Sequence, residues 1–424
     1  MRTEPLGVAA LMLGVAACAR PIPHPPSCPA DCSRGTTSAS VHAPVASAVV
    51  HRRGLSLEDE AGRPLTLRGV NLGGWLLWEG WIWGAKIRIW NTWGHAQSAL
   101  EERLADAAGS DALCRFRQEV RDRFITEADI AAISAAGFNV VRIPLNHRDF
   151  ACDTSPGWEA LDRVLAWCEA HHVYAVLDLH SAPGGQTQYF ISDPEPVLLW
   201  DSAEAQDRTV RLWRAIASRY AGRASVAGYD LLNEPSPHHG ADLAALYRRI
   251  LDAIREVDPA HLVILEGSDY ARDFSMFTAP LDPNQIYSFH MYTWFGDDRR
   301  KRLAGYAKVA SAQGVPMWCG EFGENTVPMI STTLDLFDGA TPVLAGWSFW
   351  TWKRGASSRW ATLHGIVTPP GWQRLIDWAV NDQGPEPAPL EAQRSMSELL
   401  DAADMSRVRS NEDLGRVLSE HARH

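Results

Sequence analysis

The chain has no excess of basic residues. Against 51 Asp and Glu stand 40 Lys and Arg, a formal net charge of −11 over 424 residues, which gives no support to a nucleic-acid partner. No Gly-x-Ser-x-Gly elbow occurs, which argues against a lipase or esterase. Asp178 and His180 share a strand and a face, but no serine in a suitable context completes a triad. No His-Glu-x-x-His arrangement is present, so His171-His172 and His238-His239 do not read as a metal site; the second pair is placed instead to help line a cleft. Cysteine is scarce, at seven residues. Cys28 and Cys32 have no second Cys or His pair nearby, which excludes a zinc site and leaves a small loop in an oxidising compartment. Cys114 and Cys152 fall in expected loops and are able to bridge, while Cys168 and Cys319 sit in helix and strand patterns as buried thiols.

Long apolar runs are also missing. Leu6 to Ala17 follows Arg2 and is too short to span a bilayer as a mature helix. It closes Val15-Ala16-Ala17-Cys18, which resembles a bacterial lipobox, so residues 1–18 are expected to be a lipoprotein signal with Cys18 lipidated. Residues 19–50, rich in Pro, Ser, Ala and Thr, read as a flexible tether. These features predict an exported protein held at a membrane by an amino-terminal lipid.

What is present is a repeated apolar pattern. Hydrophobic residues make up 46% of the chain, and eight short runs bounded by turn residues stand out. They are Leu65 to Leu72, Asn139 to Leu145, Tyr174 to His180, Val226 to Glu234, Leu262 to Gly267, Ile286 to Tyr292, Pro316 to Gly323 and Leu344 to Trp352. Helical patterns separate them, as in Leu243, Leu246, Ile250 and Ile254, or after the capping pair Thr126 and Asp129 with Gly137 as a stop. Eight buried parallel strands with outer helices predict an α/β fold, a (β/α)8 TIM barrel over residues 51–382. Residues 383–424 are expected to be a partly helical tail, too short for a core of its own.

In such a barrel the active site lies at the carboxyl ends of the strands, and the polar residues of this chain fall there: Arg142, His180, Asn233, Glu234, His290, Tyr292 and Glu321. Two carboxylates in unlike settings are the pair a retaining glycosidase needs, one to attack the anomeric carbon and one to protonate the leaving oxygen and then activate water. No metal or cofactor is required. Glu266 and Glu324 are alternative carboxylates that sit in no matching motif, and Glu79 is a candidate sugar contact. Trp78, Trp81, Trp83, Trp90 and Trp93 crowd a segment that reads as one long loop after the first strand, suited either to stacking on sugar or to packing the loop on the barrel.

Eight motifs in order then resemble glycoside hydrolase family 5, from about residue 54 to 380. They are Arg68 to Trp75, Phe124 to Asp129, Val141 to Pro144, Leu177 to Gly184, Leu232 to Pro235, Phe289 to Tyr292, Cys319 to Gly323 and Phe349 to Lys353. The resemblance implies Glu234 as acid/base, Glu321 as nucleophile and Asn233 as the contact to the sugar 2-hydroxyl. It further implies Arg142 and Tyr292 as the groups orienting the nucleophile, His180 and His290 as cleft histidines, and Trp350 as the platform under the sugar, with Trp352 close enough in sequence to be confused with it. A β-linked oligo- or polysaccharide is the implied substrate, as in the exo-β-1,3-glucanase and cellulase branches. A glycosidase of glycolipid or mannan, and a sugar-binding lipoprotein without catalysis, are the alternatives.

Overall fold

The computed structural model describes residues 49–86, 93–294, 296–356 and 360–423; Cys18, the tether cysteines and Trp90 lie outside them. Eight parallel strands close a barrel: β1 Leu67–Asn71, β2 Val140–Asn146, β3 Tyr174–Ser181, β4 Val226–Asp230, β5 Leu262–Glu266, β6 Gln285–Met291, β7 Met317–Gly323 and β8 Leu344–Trp350. Each pairs with its neighbours in sequence, and β8 returns to β1. Strands covered on both sides must be apolar on both sides, which is why they appear in the sequence as continuous runs.

Outer helices follow the strands: α1 Glu127–Ala135, α2 Pro156–Ala170, α3 Ala203–Tyr220, α4 Gly240–Arg255, α5 Ser268–Ala271, α6 Arg299–Gln313, α7 Val327–Asp338 and α8 Pro370–Asn381. The start of α1 is capped as expected, with the Thr126 N–H donating to Asp129 Oδ2 at 2.8 Å. Gly137 ends the segment at φ 94°, a conformation that costs glycine little. The stripe Leu243, Leu246, Ile250 and Ile254 is fully buried. The fifth unit departs from the pattern, for α5 is only four residues long and Asp269, Tyr270 and Ala271 have positive φ.

The inside of the barrel is layered. At its amino-terminal end Leu67, Val140, Val176, Ala227, Leu262, Ile264, Ile286, Trp318 and Ala345 form an apolar plug, joined by Val50 and by Leu57 of the antiparallel ribbon His51–Arg53/Ser56–Glu58. The polar inward residues are therefore confined to the carboxyl end.

Two expectations are corrected. The segment between β1 and α1 is not one long loop, because it holds the helices Gln97–Ala108 and Ser110–Arg123. Gly109 interrupts their apolar stripe and charged residues dilute the second, yet Leu100, Leu104, Leu113, Phe116 and Val120 are buried. Cys114 thus lies on a helix rather than in a loop, and it is disulfide-bonded, as is Cys152. Cys168 and Cys319 are buried free thiols.

The carboxyl-terminal residues form helices Pro389–Ala402 and Glu412–Ala422, which pack on the barrel through Leu399, Leu400, Leu414 and Leu418. Lys353 Nζ donates to the Ala403 carbonyl at 3.0 Å, and His421 pairs with Asp338 at 2.6 Å. Among the described residues no helix is long and apolar enough to cross a membrane.

Candidate active site

The site grows around one guanidinium. Arg142, on β2, is fully buried. Its Nε donates to Asp230 Oδ2 at 2.9 Å, Nη1 to Glu321 Oε1 at 2.8 Å, and Nη2 to Asn233 Oδ1 at 2.9 Å and Glu266 Oε1 at 3.0 Å. Asp178 lies 3.2 Å from Nη2. Burial opposes the Arg142 charge, but the surrounding carboxylates outweigh it. Burying an isolated cation costs far more than one so completely paired. Burial in turn pushes Asp178 up to about 8, against Arg142, and Asp230 well above the carboxylate range, so the nest is not a set of bare anions.

Glu321 projects from β7, where the register with β6 shifts between Cys319 and Glu321. Its Oε2 accepts from Tyr292 Oη at 2.8 Å, so both oxygens have a fixed donor. Tyr292 stays a phenol, since burial and then the Glu321 charge raise it well above its ordinary value.

Glu234 is reached differently. β4 ends at Asp230, earlier than the expected run to Glu234, and the chain turns inward to place Glu234 at φ 44°. Its N–H donates to Glu266 Oε2 at 2.6 Å, and its Oε1 lies 2.7 Å from His290 Nδ1. The same nitrogen is 3.4 Å from Glu321 Oε2, and His290 Nε2 is 3.2 Å from Glu266 Oε1. Burial lowers His290, but Glu266, Glu321 and Glu234 hold it well above its ordinary value. Burial raises Glu234, yet the His290 bond brings it below the usual range. Burial lifts Glu321, against His290 and Arg142.

The contact therefore favours a protonated His290 beside a charged Glu234. A carboxylate oxygen of Glu234 and one of Glu321 lie within 4.8 Å of each other and of a His290 nitrogen. The Arg142 guanidinium supplies the positive charge at Glu321.

His180 completes the floor. Its Nδ1 faces Asp178 Oδ2 at 2.7 Å and its Nε2 faces Asn233 Nδ2 at 3.1 Å. Asn233 Oδ1 is taken by Arg142, so its Nδ2 donates to Nε2 and the ring proton lies on Nδ1. Burial drives His180 down to about 3, which keeps it neutral. The Trp350 ring stacks on His180 at 5.4 Å and 15°. Trp352 faces away, donating to Asp129 Oδ1 at 2.9 Å, so the two tryptophans are distinguished.

The loop tryptophans divide as well. Trp78 and Trp83 are buried and pack on each other at 4.7 Å and on Phe116. Trp81 is half-buried, and its Nε1 donates to Glu79 Oε2 at 2.8 Å. Glu79 is buried with Oε1 unpartnered; burial raises it well above the carboxylate range, and Glu321, Glu324 and Glu234 raise it further. Glu324 is pushed up to about 7 by burial, against Arg354. His238 is exposed and pairs with Asp201 at 2.9 Å, not with these groups.

Asp230 and Asn71, not named from the sequence, belong to the site, as do Asp178 and Glu266, read there as a triad candidate and an alternative carboxylate. Asn71 Oδ1 accepts from Arg142 at 3.2 Å, and its Nδ2 donates to the Gly320 carbonyl at 3.0 Å. The signal available for them was a polar residue inside an otherwise apolar strand.

The comparisons with known proteins bear on the family and the fold. Residues 106–355 match the cellulase model of glycosyl hydrolase family 5. The chain belongs to that family. It is 35% identical over 295 residues to a beta-xylosidase of Phanerodontia chrysosporium, a match covering 64% of this chain and 60% of that protein. It is 28% identical over 364 residues to a probable glucan 1,3-beta-glucosidase A of Neosartorya fischeri, covering 69% and 84%. The rutinosidase of Aspergillus niger has the same fold at 18% identity and a TM-score of 0.55, covering 70% and 92%. So does the catalytic domain of a Thermobifida fusca endoglucanase, at 17% and 0.51, covering 83% and 97%.

Proposed function

We propose that this family 5 protein is a retaining β-glycosidase acting on a β-glucan or related β-glucoside, with Glu321 as nucleophile and Glu234 as acid/base. One observation carries the reading: an oxygen of each carboxylate lies within 4.8 Å of one on the other. That spacing suits direct attack, whereas an inverting pair stands about 6.5–9.5 Å apart to admit a water.

Glu321, aimed by Arg142 and Tyr292, attacks the anomeric carbon as the glycosidic bond breaks. The proton for the leaving oxygen moves from His290 Nδ1 along the 2.7 Å contact to Glu234 and on to the aglycone. Glu234 then takes a proton from water, which displaces Glu321 and releases a product of unchanged configuration. The Asn233 amide keeps one N–H beyond its His180 bond, available to the sugar 2-hydroxyl. Trp350 offers a flat face to the ring. The names of the relatives, a beta-xylosidase, glucan 1,3-beta-glucosidases and endoglucanases, support a β-linked glycan as substrate.

Reducing-sugar release from laminarin, barley glucan and carboxymethylcellulose tests the substrate class. Glu321→Ala abolishes turnover. Glu234→Ala slows it by about 10²- to 10⁴-fold, and azide restores it through a β-glycosyl azide on substrates whose leaving group needs no proton. An α product by proton NMR overturns the mechanism. Binding without turnover by the wild-type chain supports the sugar-binding alternative instead.

The lipobox-like Val15 to Cys18 supports a membrane-anchored location, with Cys18 lipidated. Cys18→Ser releases the protein from the detergent phase or leaves the precursor uncleaved; a cleaved wild type already in the aqueous phase defeats this.

A further inference from the structure

The truncated fifth unit leaves a groove on the outer wall of the barrel. Because α5 spans only Ser268–Ala271, the flank of α6 that would meet a full-length helix is uncovered. Lys301, Gly305, Lys308 and Ala312 recur there at helical spacing. The cavity has a volume of about 690 Å³, within the range of small-ligand sites.

Its floor is rigid and aromatic. Tyr306 stacks on Phe289 at 4.4 Å and meets Phe274 edge-on at 5.7 Å. Its hydroxyl is buried without a hydrogen-bond partner. Burial pushes Tyr306 up to about 12 even though Arg302 and Arg272 pull it down, so it remains a donor.

The rim is cationic on a chain of net charge −11. Arg272, Lys301, Arg302 and Lys308 line it together with Asp273 and Asp298, and Arg272 pairs with Asp269 at 2.9 Å. Asp298 is taken up by Arg302 at 2.7 Å, while Lys301 and Lys308 are exposed and enter no ion pair among the described residues. The catalytic cleft differs, for there burial, with Glu321 and Glu234 adding to it, raises Glu79 and Glu324.

The two places are connected. Arg302 Nη2 donates to the Tyr292 carbonyl at 2.6 Å, and Tyr292 holds Glu321. Beside it Trp294, 48% exposed, stacks on Tyr292 at 4.4 Å and 13°, an exposed aromatic face on the cleft side of that link.

We infer that the groove between α6 and the segment 272–277 is an accessory subsite for an anionic substituent, a carboxylate or phosphate, borne by a glycan whose cleaved residue is neutral. This rests on the β-glucan reading above. Its test uses β-glucan oligosaccharides of equal length, neutral and carboxymethylated, titrated calorimetrically into the full chain carrying Glu321→Ala so that nothing turns over.

The carboxymethylated ligand binds about tenfold tighter at low salt, and the advantage fades in about 0.5 M salt. The double variant Lys301→Glu/Lys308→Glu removes the advantage and leaves neutral binding within about twofold. Gly305→Leu does the same by filling the groove, since a Cβ there meets nothing within 4 Å. Equal affinities for the two ligands, or an advantage that survives both variants, overturns the subsite. Wild-type turnover of the neutral oligosaccharide is read separately: its absence with the binding advantage intact sinks the catalytic reading and leaves the groove standing.

Discussion

Glu266 Oε2 accepts the main-chain N–H of Glu234 at 2.6 Å while its other oxygen accepts from Arg142 at 3.0 Å. One buried carboxylate on β5 thus ties the acid/base loop to the guanidinium that aims the nucleophile. That bond anchors the left-handed backbone at Glu234.

Glu266→Gln keeps the volume and removes the charge. Misplacement of the acid/base by a fraction of an ångström is expected to lower kcat about 10²-fold with KM nearly constant. Steady-state kinetics alongside circular dichroism checks this; a rise in KM at constant kcat assigns Glu266 to substrate binding instead.

The pH profile depends on His290. Glu266 and Glu321 outweigh burial and raise it well above its ordinary value, so the proton needed for the leaving group is lost only as pH rises through that raised value. In His290→Gln the proton must reside on Glu234 alone, and the basic limb of kcat/KM shifts to lower pH. An unmoved limb means that His290 does not carry the proton.

Stability should have its own acid limb. Burial lowers His95 to about 4, so as pH falls from about 6.5 the unfolded chain takes up a proton before the folded one does. Stability is lost across that window, by on the order of 3 kcal/mol from this residue. His95→Phe flattens the melting temperature between pH 6.5 and 4. Asp149 and Asp193, lowered by Arg121 and Arg148 despite burial, contribute losses only below the ordinary Asp value of about 3.9.

The loop tryptophans separate by burial. Trp83→Ala removes a ring packed against Trp78, Phe116 and Trp372 and costs about 3–5 kcal/mol of stability. Trp81→Ala, beside Glu79 and half-buried, leaves the melting temperature within a few degrees and weakens substrate binding. Thermal melts paired with inhibitor titration distinguish the two; a large melting loss for Trp81→Ala makes it another packing residue.

Much of the barrel was legible because its strands are apolar on both faces and each is bounded by turn residues. The helices Gln97–Ala108 and Ser110–Arg123 were not, since their buried positions are spaced among charged residues and broken by Gly109. The placing of Lys301 and Arg302 beside a groove was not legible either. Its importance depends on what α5 fails to cover, and a missing neighbour leaves no mark on the residues it would have met.

The sequence by itself determined the eight strands, the family motifs and the carboxyl-end position of Glu234 and Glu321, because periodicity and local turn chemistry are properties of neighbouring residues. Only the tertiary structure decided which side chains share a proton or a charge. Asp178, Asp230, Glu266 and Glu321 come from four different strands and meet at Arg142 on a fifth. That convergence exists only once the barrel has closed, and burial then makes each charge depend on the others.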